Sequence, residues 1–211
     1  MHILMCMGKV YIVSGFSGSG KGTLINKILE ARKDILVVKS YTTRPKRSED
    51  DFYNFISEEE FDELENKKLL LESNVYNGFR YGTLITDVMS ILQQGKSVIL
   101  EIDFNGYKQV LKSELFEKER MSTIFVVTDA KRLYRRLVNR GTEDLHKIES
   151  RLSTAKEECN HMQSYESIIY NDNLATSIEK MLQFVDGQRL NDEFDIERFQ
   201  REIDEIIWKL K

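Results

Sequence analysis

The nine residues Gly15-Phe16-Ser17-Gly18-Ser19-Gly20-Lys21-Gly22-Thr23 carry the clearest chemistry in the chain. Gly15, Gly20 and Lys21 reproduce the GxxxxGK spacing of a P-loop, in which backbone N–H groups curl around phosphate oxygens. A helix opening at Lys21 would add its positive dipole end, and the lysine a mobile charge for the outer phosphates. Gly22 departs from the common pattern, which has Ser or Thr there to hold Mg²⁺; Thr23 is the hydroxyl left to serve. The bland alternative is a glycine-rich strand-to-helix turn. The β-rich run before the loop and the helix-period run after it favour the P-loop. Such a loop implies a nucleoside triphosphate but not its fate, which could be hydrolysis coupled to motion, switching, or transfer to a small acceptor. The modest length, with an insertion after the second strand, favours a small kinase.

A second group follows at Ser40-Tyr41-Thr42-Thr43-Arg44-Pro45-Lys46-Arg47, which contains the single proline of the chain. Pro45 prevents a regular helix here. Two guanidiniums three residues apart among hydroxyls make a phosphate clamp, since Arg forks match phosphate oxygens. The same spacing also suits an ordinary basic loop. Residues 39–47 hold four bases and no acid, whereas residues 48–65 hold nine acids and no base. That split is either a solvated surface or a match for a ligand with both a phosphate and a polar ring. Three acids recur among apolar neighbours. Glu72 follows Leu69-Leu70-Leu71, a setting that disfavours a solvated charge. Glu101 and Asp103 are two apart at the end of a strand-like run, so they are expected to share a side, as a buried pair at the carboxyl edge of a sheet. Arg132, Arg136 and Arg140 lie on one helix face at i, i+4 and i+8, and Arg151 opens the far side of Gly141. These arginines form either a solvated basic stripe or charges brought over a transferring phosphoryl group.

The elements that must position these groups alternate from end to end. β-rich runs at residues 9–14, 35–39, 97–102, 123–128 and 167–170 are separated by helix-period segments at 21–32, 84–94, 130–140, 142–161 and 176–185, with a weaker one at 105–116. This is the signature of an α/β fold with a parallel sheet flanked by helices. Residues 40–83 break the rhythm and read as a small, mostly β insertion. Ser57 and Glu60 form a capping-box pattern for a helix to Lys67; an apolar run at 68–75 and a turn at Asn77-Gly78 follow. Beyond residue 188, Ile196, Phe199, Ile203, Ile206 and Leu210 make an apolar stripe at 3-4-3-4 spacing, widened by Ile207 and Trp208. That stripe must be buried, either on its own chain or in a homodimer.

Composition narrows the classes further. Among 211 residues the net charge is −4, which excludes coating nucleic acid by bulk charge. Hydrophobic residues at 41% argue against disorder. No apolar run approaches the roughly 20 residues of a membrane span, and residues 1–8 do not read as a signal peptide. Cys6 and Cys159 cannot build a disulfide framework, and the expectation is a cytoplasmic chain with both reduced. His2, His146 and His161 have no metal-like spacing, so no protein-only metal cage is expected.

The segment SYTTRPKR, the acid after it, and Tyr53-Asn54-Phe55 resemble the nucleoside-monophosphate-binding region of guanylate kinases. The resemblance continues through Glu72, Tyr81-Gly82-Thr83, ILEIDFNG at 99–106, RRLVNRGT at 135–142, SRLSTA at 150–155 and YNDN at 170–173. It implies a P-loop NTPase-type sheet over 8–187, with core segments 8–39 and 84–187, an acceptor-binding insertion at 40–83, a helical lid near 136–155, and the 188–211 helix outside. It also implies transfer from ATP to GMP, and to dGMP, with Mg²⁺ held mainly by phosphates and water and by Thr23. ATP would meet Gly15, Ser17, Gly18, Ser19, Gly20, Lys21, Gly22 and Thr23, with Asn171 and Asp172 near adenine. Ser40, Arg44, Arg47, Tyr53 and Tyr81 would surround the GMP phosphate, and Asp50 would belong to the same GMP site. Glu72, Thr83 and Asp103 would face guanine; Glu101, from its place beside Asp103, would order Mg²⁺-bound water or a phosphate-side partner in the GMP site. Lys21, Arg44, Arg136, Arg140 and Arg151 would stabilise the transferring group. The family pattern places its tyrosine six residues after the acid, whereas Tyr53 follows Asp50 by three, which leaves Glu49 and Asp50 as rival replacements for one guanine-reading acid. Two other readings remain on the residues alone: a kinase of similar build with another phosphate acceptor, and a non-catalytic binding module. Lys21 with three lid arginines argues against the latter.

Overall fold

The computed structural model describes residues 8–46, 52–76, 78–139 and 145–210. In chain order the elements begin with β1 (Val10–Gly15), α1 (Lys21–Ala31), β2 (Ile35–Val37), β3 (Ser40–Thr42), β4 (Tyr53–Phe55), α2 (Glu58–Asn66), β5 (Leu70–Tyr76), β6 (Phe79–Leu84) and α3 (Ile85–Gln93). They continue with β7 (Ser97–Glu101), α4 (Phe104–Lys112), β8 (Met121–Val127), α5 (Ala130–Asn139), α6 (Leu145–Glu158), β9 (Ser167–Tyr170), α7 (Leu174–Val185) and α8 (Ile196–Leu210). Five strands form one parallel sheet in the order β2-β7-β1-β8-β9, and four form a second sheet in the order β4-β3-β6-β5. The expected α/β architecture and the mostly β insertion are both present. The strands of the five-stranded sheet read as near-continuous apolar runs for a physical reason: a parallel strand with helices on both faces has no solvated side.

The chain divides into two compact units, one centred on Arg32–Ser122 and the other on Val13–Ala31 with Thr123–Lys211. In the first, β2 pairs β7 with Ile35 opposite Ser97, and Val98, Ile99 and Leu100 are buried. The second sheet lies wholly in this unit. Ser57 caps α2 with a complete capping box: its hydroxyl accepts from Glu60 N while the Glu60 carboxylate accepts from Ser57 N. Arg80 on β6 gathers the acidic surface of α2, donating to Asp62 at 2.6 Å, Glu65 at 2.5 Å and Glu58 at 3.3 Å, with its guanidinium 4.3 Å from the Phe61 ring. Part of the acid excess at 48–65 is therefore paired within the chain. The edge strand β5 is held by Gln109 of α4, whose amide accepts from Ser73 N at 3.0 Å and donates to Ser73 O at 2.7 Å.

In the second unit, Ile124–Val127 of β8 are buried and pair β9 in parallel register. Helix α1 turns Leu24, Ile25 and Ile28 inward, and α5 turns Leu133 and Leu137 inward. Helix α7 starts two residues earlier than its apolar period suggested, because Asn173 caps it by accepting from Thr176 N at 3.2 Å. The long helix expected at 142–161 is described as α6 followed by a tighter helical turn at Cys159–Ser164. Helix α8 buries Phe199 and Ile203 on its own chain, against α5 and α6. Lys156 of α6 pairs Asp204 at 2.6 Å, and Gln200 donates to the Lys156 carbonyl at 3.2 Å. Trp208 remains 77% exposed. Among the described residues no helix is long and apolar enough to cross a membrane.

Candidate active site

β1 delivers the chain into the glycine-rich loop, and α1 begins at Lys21, so loop, strand and helix occur in the order that phosphate binding needs. The loop is closed by Ser19 N donating to Phe16 O at 2.9 Å. Lys21 Nζ lies over this arch and donates to Gly15 O at 2.6 Å and Phe16 O at 3.0 Å. Gly20 has φ of 98°, a conformation that L side chains rarely adopt, and a Cβ there would sit 2.4 Å from Asn171 Nδ2. That close approach lets Asn171 donate to Ser19 O at 2.7 Å. Thr23 is exposed on the first turn of α1.

The arginines converge on this loop. Arg136 Nη1 donates to Ser19 O at 2.8 Å and Gly18 O at 3.2 Å, and Arg151 Nη1 donates to Ser17 Oγ at 3.1 Å. Arg132, for which spacing alone gave no individual role, donates to the backbone carbonyls of Asn171 and Asp172. Burial, with the Arg132 charge alongside, lowers the Arg136 pKa from its ordinary value. A crowded cationic arrangement of this sort is relieved by an anion. Asn171 is buried, and Asp172 accepts from Asn173 N through its carboxylate at 2.7 Å. Arg140 lies outside the described residues.

The residues expected at the acceptor belong to the other unit. A register shift in the β5–β6 ladder between Leu70 and Glu72 brings Glu72 opposite Thr83. This irregularity breaks the alternation of faces, and both Leu71 and Glu72 are buried, at 5% exposure each. Thr83 Oγ1 donates to Glu72 Oε1 at 2.6 Å. Burial pushes the Glu72 carboxyl up to about 7; the Thr83 bond opposes the rise and the Asp103 charge adds to it. A Cβ on Gly106 would stand 2.7 Å from Glu72 Oε2, so only glycine leaves that oxygen its place. Asp103 caps α4, accepting from Gly106 N at 2.8 Å, while its other oxygen accepts from Asn74 Nδ2.

Glu101 and Asp103 do not form the expected buried carboxylate pair. β7 ends at Glu101, whose side is exposed, and Asp103 is the N-cap of the following helix. Strand alternation therefore does not carry from one to the other. Arg44 is buried, donates to Pro45 O at 3.1 Å, and lies 5.4 Å and 5.5 Å from the ring centres of Tyr53 and Phe55. Tyr81 meets Tyr53 edge-on at 5.6 Å, and Ser40 opens β3 directly opposite Tyr53. Arg47, Glu49 and Asp50 lie outside the described residues, as do Cys6, His2 and Asn77.

The family model for guanylate kinase matches residues 7–188. The chain belongs to the guanylate kinase family. The guanylate kinase of Mannheimia succiniciproducens is 32% identical over 212 residues, covering 97% of this chain and 100% of its own. That of Lactococcus lactis is 35% identical over 207 residues, covering 94% and 97%. A crystal structure of guanylate kinase from Anaplasma phagocytophilum superposes with a TM-score of 0.65 at 23% identity over 85% of each chain, a likeness of fold.

Within this guanylate kinase family member, the structure gives individual places to residues that the motifs named no role for or did not mark. Asn74, outside the motifs, donates to Asp103, and Gly106, the end of the IDFNG run, stands against Glu72. Arg132 was visible in the i, i+4, i+8 series. Phe16 is the one large side chain inside the phosphate loop and is fully buried, which no periodicity could have revealed.

Proposed function

We propose that this guanylate kinase family member transfers the γ-phosphoryl group of ATP to GMP, giving ADP and GDP. The observation that carries the reading is the buried Glu72 carboxyl, held by Thr83 and flanked by Asp103. Guanine presents N–H donors at N1 and N2 together, which a carboxylate can accept as a pair; adenine has no such pair. Glu72, Thr83 and Asp103 read the base in this proposal. Ser40, Arg44, Tyr53 and Tyr81, with Arg47, hold the acceptor phosphate; Asp50, or Glu49 in its place, is the second acid toward guanine, and Glu101 orders metal-bound water or a phosphate-side partner.

On the donor side, the loop from Gly15 to Thr23 binds the triphosphate, with Asn171 and Asp172 toward the base. Lys21, Arg136 and Arg151, with Arg140, stabilise charge as a GMP phosphate oxygen bonds to the γ-phosphorus and the bond to the β-phosphate oxygen breaks. The attacking oxygen is already anionic, so no general base is needed. Among the described residues no group of three or more His, Cys, Asp or Glu is arranged to hold a metal. Mg²⁺ would be held mainly by substrate phosphates and water, with the Thr23 hydroxyl as the protein oxygen offered to it, and would supply charge neutralisation on the phosphates. Residues 40–83 serve as the acceptor-binding insertion and residues 136–155 as the lid. The chain works in the cytoplasm, without nucleic acid or membrane partners. A homodimer through α8 would use the exposed face around Trp208.

A coupled assay offering GMP, dGMP, AMP and UMP with Mg-ATP tests the reading. GMP should exceed AMP in kcat/KM by on the order of 100-fold or more. Equal use of the two would refute the guanine assignment, and no turnover of any monophosphate would point to a binding module.

A further inference from the structure

Helix α8 lies beyond the residues that the family model matches, yet it touches the phosphate loop directly. The contact is aromatic. Phe16 turns its ring away from solvent, stacking on Phe199 of α8 with ring centres 4.7 Å apart and planes 10° from parallel. Phe125 of β8 meets the same ring edge-on at 5.4 Å, and Phe194, in the segment leading into α8, lies 6.0 Å away. Phe16 is fully buried and Phe199 is 3% exposed. One face of the loop's only aromatic residue is thus supplied by the last helix of the chain.

The backbone of Phe16 makes this contact matter for chemistry. Its carbonyl accepts from Lys21 Nζ at 3.0 Å and from Ser19 N at 2.9 Å, so the residue that is stacked is also the keystone of the arch. The loop's N–H groups can cradle phosphate only if that arch keeps its shape, and the glycines on either side give it little stiffness of their own. A flat ring fixed on two sides limits the loop in a way that glycine cannot. Helix α8 is itself anchored independently of the stack. Asp204 pairs Lys156, and Gln200 donates to Asn160 at 3.1 Å and to Cys159 Sγ at 3.3 Å.

We infer that Phe199 is a positioning residue for the phosphate loop, acting through Phe16 to hold the arch that receives the ATP phosphates. The inference rests on the reading of that loop as the ATP site. It assigns α8 a role in donor binding beyond fold stability, and none in recognition of GMP.

The test compares full-length Phe199→Ala, Phe199→Leu and Ile203→Ala, assayed well below their melting temperatures. Ile203 is fully buried on the same helix and has no part in the aromatic cluster, so its loss weakens α8 docking while leaving the stack in place. Phe199→Ala should raise the KM for ATP on the order of tenfold with little change in the KM for GMP. Phe199→Leu, which keeps bulk without a ring, should fall between it and the unaltered chain. If Phe199→Ala fails to fold, Phe199→Leu carries the comparison. Ile203→Ala should lower the melting temperature and leave the ATP KM unchanged. Equal effects of Phe199→Ala and Ile203→Ala on ATP KM, or none from either Phe199 variant, would overturn the inference. Lys21→Ala separates it from the reading beneath: loss of transfer there, with normal ATP KM in the Phe199 variants, defeats only the role of Phe199. Retained transfer in folded Lys21→Ala defeats the loop assignment itself.

Discussion

Glu72→Gln should make the chain more stable at pH 8 while damaging its use of GMP. The carboxyl titrates near 4.5 when ordinary and is pushed up to about 7 by burial in the fold. Between those pH values the folded chain holds one more proton than the unfolded chain, so stability falls as pH rises. The contribution is complete below about pH 4.5 and gone above about pH 7, and a gap of this size corresponds to about 3 kcal/mol. Glutamine has the same shape, accepts from Thr83 through its amide oxygen, and does not titrate. Urea melts of the two chains between pH 5 and pH 8 should therefore diverge, with the variant gaining by about 2.5 kcal/mol over that range. The same substitution places a donor where guanine offers donors, so the KM for GMP should rise by about tenfold to 100-fold while that for ATP holds. A stability difference independent of pH would refute the burial argument. An unchanged GMP KM would show that Glu72 supports the sheet and does not read the base.

Gly106→Ala would place a methyl group 2.7 Å from the Glu72 Oε2 position, forcing the carboxylate to turn. The chain should fold and lose GMP affinity selectively; titration calorimetry with GMP and with an ATP analogue would show otherwise if both or neither weakened. Gly22→Ser restores the hydroxyl of the common loop pattern, and nothing lies within 4 Å of the Cβ it adds. It should raise stability by about 0.5 kcal/mol and lower the Mg²⁺ concentration for half-maximal rate. An unchanged Mg²⁺ requirement would mean that Thr23 already fills the role.

The parts of this molecule legible in its sequence are those set by short-range rules. The P-loop needed only Gly15, Gly20 and Lys21 between a strand and a helix, and α2 needed only Ser57 and Glu60. The α8 stripe foretold burial, and Phe199 and Ile203 are indeed the buried positions. The site was less legible where one residue's place depends on a distant partner. The shift that buries Leu71 and Glu72 in succession arises from pairing with β6, which period-2 reasoning cannot anticipate. Glu101 and Asp103 were read as one strand because nothing in ILEID marks where the strand stops. The stop is set by Asp103 capping α4, a local signal masked by the apolar run before it. Nothing local marks Phe16 for burial, because its partners Phe125, Phe194 and Phe199 lie more than a hundred residues away.

The grip of Gln109 on Ser73 has a consequence for behaviour in a crowded solution. β5 ends its sheet, so the main-chain groups along its outer side are a template on which another chain could add a strand. A carboxamide offers the same donor and acceptor, side by side, that a neighbouring peptide unit would. By satisfying both groups of Ser73, Gln109 imitates one residue of a missing strand in the middle of that edge. An incoming strand would have to displace this imitation before it could extend in either direction, so Gln109, on the helix packed against β5, works against strand addition at that edge.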